Sequence, residues 1–79
     1  MIIRSKLTNQ LYDEDDCVFF GNPLQSAFYR ENGANLIDIF TRDGKWIWVF
    51  SRKDHNLLRN KWEERREENE RREEIWELF

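Results

Sequence analysis

The 79-residue sequence predicts a small α+β fold. Its parts are an antiparallel sheet (a hairpin over 36–51 plus a short strand at 17–20), a short helix at 22–32 and a long charged helix at 54–78. Three observations predict it. Asp43-Gly44 separates two runs rich in β-branched and aromatic residues, the strongest short-range signal for a hairpin. Asn22-Pro23 and Gly33 bracket a segment with helical apolar spacing. Beyond Ser51 neither Gly nor Pro interrupts the chain.

Each element has its own justification. Ile2 and Ile3 begin an edge strand, and the acidic run Asp13, Glu14, Asp15 and Asp16 reads as a solvated loop. The apolar run CVFF stops at Gly21, as a short buried strand does, and places Cys17 in the core. In the first helix Asn22 caps, Pro23 takes the first position and Gln25 completes a capping-box-like pair. Leu24, Ala27 and Phe28 form its apolar face, and Gly33 closes it in the left-handed conformation.

A two-residue turn at Asp43-Gly44 sets Thr41 opposite Trp46, Ile39 opposite Trp48 and Ile37 opposite Phe50. One face then carries Ile37, Ile39, Trp46, Trp48 and Phe50 and is the expected core, with Phe28 and Trp62 packed on it. The other carries Leu36, Phe40, Ile47 and Val49, interrupted by Asp38; it is too apolar for water and needs a cover. Ser51 or Asp54 caps the last helix, and Leu58 and Trp62 anchor it on the sheet.

Composition supports a compact unit over 1–62 and a charged helical extension over 63–79. Four Trp, six Phe and two Tyr supply a core, while 37% charged residues supply a solvated part. The net charge of −3 is unevenly spread: residues 13–16 and 63–79 are acidic and the middle is mildly basic. A single cysteine excludes an internal disulfide, and no apolar run reaches membrane-spanning length. A reduced, cytoplasmic setting without membrane contact is expected.

Catalytic chemistry finds little support. The lone histidine, His55, falls in the first turn of the last helix, where exposure is expected. The run at 13–16 lacks the spaced ligands and the glycine of a calcium loop, so no metal is expected, and no phosphate-binding glycine loop calls for a cofactor. Arg42, Lys45, Arg52, Lys53, Arg59 and Lys61, interleaved with Trp46 and Trp48, offer a nucleic-acid surface as the alternative. Core packing of the two tryptophans outweighs it.

The segment EERREENERREE at 63–74 leads straight into IWELF. Leu58, Trp62, Arg65, Asn69, Arg72, Trp76 and Phe79 step by four and three, a heptad seam with a central asparagine. That pattern predicts a homodimer through residues 58–79, and Ile75, Trp76, Leu78 and Phe79 are too apolar to be left in water.

The motif NPLQSAFYRENG, followed by LIDIF, a turn, WVFSR and LRNKW, resembles a family of small uncharacterised domains of bacterial phages and mobile elements. The resemblance covers Val18 to Trp62 and implies a fold and a genomic setting. With the small size and acidic segments, it leads to the expectation of a non-catalytic accessory protein that binds a protein partner. The concrete form is an inhibitor of a bacterial defence nuclease, of the anti-CRISPR kind, with Asp13, Glu14, Asp15, Asp16, Ile75, Trp76, Leu78 and Phe79 in contact. A nucleic-acid-binding regulator and a structural dimerisation module are the rivals.

Overall fold

Asp43 and Gly44 both adopt positive φ, +53° and +77°, and join strands β4 (Leu36–Arg42) and β5 (Lys45–Ser51). The structure, a computed structural model, describes the backbone of residues 1–77 and the side chains of residues 1–68. Strand β3 (Cys17–Phe20) pairs with the free edge of β5, giving the antiparallel order β3-β5-β4. Helix α1 (Pro23–Glu31) connects β3 to β4, and helix α2 (Arg52–Glu77) follows β5 directly. The α+β class and the order of elements from β3 onward are those the sequence predicts.

The hairpin register holds from the turn to Asp38, which faces Val49. There a β-bulge intervenes, and Leu36 rather than Ile37 lies opposite Phe50. A bulge adds one residue to one strand and reverses the facing of everything beyond it. Leu36 therefore joins the core, correcting the place expected for Ile37. The bulge is held from outside: Ser5 Oγ donates to the Ile37 carbonyl at 2.7 Å, taking a group freed from the ladder.

One face of the sheet carries the helices. Phe28, Tyr29, Ala34, Phe50 and Leu58 are buried together, with Val18, Phe20, Leu36, Trp48 and Trp62 packed around them. Trp46, at the hairpin tip, lies 56% exposed and is not in this core, contrary to expectation. Helix α1 also turns differently. Leu24 and Ala27 are exposed, and Ser26, Phe28 and Tyr29 are the buried positions. Asn22 caps α1 as expected, with Oδ1 accepting from Leu24 N and Gln25 N. Gln25 itself reaches Tyr29, donating to its hydroxyl at 3.4 Å.

The opposite face holds Cys17, Phe19, Asp38, Phe40, Ile47 and Val49, as the pairing dictates. Its cover is a second antiparallel pair, β1 (Ile2–Arg4) with β2 (Leu11–Asp13), closed by a turn in which Asn9 adopts φ +62°. Ser51 caps α2, accepting from Asp54 N at 3.1 Å, so the helix begins two residues before the expected start at Asp54. Of the two alternatives, Ser51 is the cap because it is the last strand residue and leaves no loop.

Candidate functional site

Asp38 organises the face under the N-terminal hairpin. Its carboxylate is 2% exposed and accepts from Lys6 N, Ile39 N and Tyr12 Oη, each at 2.8 Å; Ser5 Oγ, whose single proton goes to the Ile37 carbonyl, lies 3.3 Å away. A buried carboxylate costs heavily unless its oxygens are satisfied, and here the donors come from two sheets at once. Asp38 therefore fastens the hairpin to the sheet. Burial, then the hydrogen bond to Asp38 and the Asp38 charge, push the Tyr12 phenol well above its ordinary value, so it stays a donor.

Beside this anchor lies a cleft of about 270 Å³. Ile3, Phe19 and Phe40 line its apolar part, and Arg4, Lys6, Arg42 and Glu14 are its charged neighbours. Phe19 and Phe40 meet edge to face at 6.3 Å, and the Arg42 guanidinium stands 5.6 Å above the Phe40 ring. Such a cleft grips a large apolar side chain and offers cations to an anionic neighbour. The sequence carried one signal of it: a lone aspartate on an apolar strand face.

The acidic run is ordered, which corrects the expectation of a loop. Asp13 ends β2 and caps a 3-10 turn over Glu14–Asp16, accepting from Asp15 N at 3.0 Å. Arg52 reaches across to donate to the carbonyls of Asp15, at 3.4 Å, and Cys17, at 3.3 Å. The Met1 amino group lies 3.6 Å from Asp13 and 3.8 Å from Glu14. Asp15 is 83% exposed and Asp16 is also exposed, so two carboxylates project from a fixed turn. Among the described residues no group of acids, His and Cys is placed to hold a metal ion. Cys17 is buried, and burial raises its thiol further from the reactive thiolate.

His55 is not the exposed residue expected at a helix start. Its Nδ1 lies 2.8 Å from Tyr29 Oη, and its ring packs on Phe20 at 5.4 Å. Gln25 donates to that hydroxyl, which leaves the Tyr29 O–H to donate a hydrogen bond to Nδ1 of a neutral imidazole. Burial first, then Arg59 and Arg52, lower the His55 pKa from 6.5. The unfolded chain thus binds the proton more tightly, and the stability of the neutral ring is complete above pH 6.5. It is lost progressively as pH falls from 6.5 through the lowered native value. His55→Asn, which keeps an acceptor near Nδ1, should flatten that acid limb in thermal melts recorded against pH. An unchanged limb would assign it to other groups.

The six basic residues do not gather with both tryptophans on one surface. Arg42, Lys45 and Trp46 sit at the hairpin tip, separated from Arg52 and Lys53 by the length of β5, about 20 Å. Trp48 packs against the core. The helical seam also changes meaning. Leu58 is buried in the domain's own core, Trp62 packs on Phe28 at 5.6 Å, and the Arg65 guanidinium covers that same ring at 5.5 Å. Leu58 and Trp62 thus contribute to the domain's own packing, and Arg65 lies exposed beside them. Side chains of the remaining seam positions Asn69, Arg72, Trp76 and Phe79, and of Ile75 and Leu78, lie outside the described residues.

Among the described residues no helix is long and apolar enough to cross a membrane. Compared with known proteins, the chain matches no family model, no curated protein and no solved structure, so its fold and its site stand on their own geometry.

Proposed function

We propose that this chain is a non-catalytic binding module that acts by occupying a protein partner. In its finer form it is an accessory protein of phage or mobile-element origin that blocks a defence nuclease in the cytoplasm of a bacterial host. The observation that carries this reading is the ordered acidic turn. Asp13 caps it, Arg52 pins its carbonyls, and Asp15 and Asp16 project into solvent. Preorganised charges lose less freedom on binding than charges on a loop, and paired carboxylates meet the cationic channel of a nuclease as phosphates do. Leu24, 71% exposed, and Leu57 and Trp46, also exposed, supply apolar contacts beyond those the core uses.

The test is a panel of guided nucleases assayed with and without the protein. Inhibition should weaken with salt and compete with the nuclease's nucleic acid. Asp15→Lys with Asp16→Lys, which leaves the Asp13 cap in place, should reduce inhibition by about tenfold or more, an order set by two desolvated charges. Tight, salt-sensitive binding of the isolated protein to labelled DNA or RNA would overturn the reading in favour of a nucleic-acid-binding regulator.

A further inference from the structure

We propose that the cleft under the N-terminal hairpin receives the acidic, aromatic segment 73–79 of a second copy of this chain. Three features of the cleft specify such an occupant. At about 270 Å³ it falls just below the usual range of small-molecule pockets and suits one large side chain. Its apolar part, Ile3, Phe19 and Phe40, matches an aromatic anchor. Its cations, Arg4, Lys6 and Arg42, stand on a chain of net charge −3. The two carboxylates there do not cancel them: Asp38 is buried and held by three donors, and Glu14 lies 3.8 Å from the Met1 amino group.

The segment EEIWELF has the complementary chemistry. It sets Glu73, Glu74 and Glu77 around Ile75, Trp76, Leu78 and Phe79. In the sequence Trp76 has Glu77 directly after it and Glu73 and Glu74 shortly before it, so an aromatic anchor has carboxylates on both sides along the chain.

Topology decides between the chain's own segment and that of a second copy. Helix α2 packs on the face of the sheet opposite the cleft, and it runs as one helix from Arg52 to Glu77. At 1.5 Å per residue it spans about 39 Å, carrying the segment away from the cleft of its own chain. Two copies can exchange segments reciprocally, each filling the other's cleft, which is an isologous contact with two-fold symmetry. This pairing does not use Leu58 and Trp62, which the fold already occupies, and it is independent of the nuclease reading.

A charge-swap experiment on the full chain tests it by light scattering at low salt. The unaltered chain should show twice the mass of one copy, and the mass should fall toward one copy as salt rises. Arg4→Glu with Arg42→Glu should give a folded single copy, and so should Glu73→Arg with Glu74→Arg and Glu77→Arg. Mixed in equal amounts, these two variants should restore the double mass, because each reversed segment then meets a reversed cleft. Should the double cleft variant fail to fold by circular dichroism, Arg42→Glu alone carries the test. A single-copy mass for the unaltered chain overturns the proposal. So does a dimer that survives the folded cleft variant, which would place the contact elsewhere.

Discussion

Phe50→Ala should remove about 3–5 kcal/mol of folding stability. Phe50 is fully buried on the central strand β5, between the side chains of Val18 on β3 and Leu36 on β4. Its ring lies 5.6 Å from Tyr29 and 6.0 Å from Phe20, so one truncation removes contacts to α1 and β3 together. A domain of this length holds roughly 4–12 kcal/mol in total, which makes the loss comparable with the whole. Urea titration followed by tryptophan fluorescence measures it. A midpoint within error of the parent would show that the helices do not depend on this face. Phe50→Leu, which keeps most of the volume, should recover much of the loss.

The second large effect belongs to Asp38. Asp38→Ala leaves the Lys6 and Ile39 amides and the Tyr12 hydroxyl without their acceptor, at about 1–3 kcal/mol for each donor that stays dry. Water reaches some of them as the hairpin lifts, so a net loss of about 2–4 kcal/mol is expected. The damage should be local first. Amides of β1 and β2 should exchange with solvent faster, while those of β5 keep their protection. Asp38→Asn retains one acceptor for the two amides and an amide that Tyr12 Oη can accept from, so it should cost much less. Equal losses for the two substitutions would mean that volume, not hydrogen bonding, sets the role of this residue.

Local signals in the sequence located most of the fold. Asp43-Gly44 defined the hairpin, Asn22-Pro23 the start of α1, and the absence of breakers after Ser51 the long helix. The errors came from contacts distant in sequence. Alternation from the turn puts Ile37 inward, but the bulge depends on Ser5, 32 residues earlier. The apolar stripe of Leu24 and Ala27 looked like the buried face of α1, yet the structure turns Tyr29 inward to meet His55, 26 residues later. A helix start is usually exposed, but Phe20 and Tyr29 both pack over His55. The second sheet face was legible as a surface needing a cover, and Asp38 as the polar break in it. That the cover is the N-terminal hairpin was not, because strands of three residues carry almost no periodic signal.

The junction between β5 and α2 has a mechanical consequence. Ser51 ends the central strand and Arg52 begins the helix, with Ser51 Oγ closing the first turn. No hinge residue separates lever from fulcrum. Torque applied along α2 acts on a strand clamped on both sides, where several ladder bonds share the load. A spin label at Glu64, an exposed position on α2, should therefore report the tumbling time of the entire particle rather than a faster wobble of its own. Whatever docks along that arm is held at an angle dictated by the sheet, as a gauge needle is by its spindle.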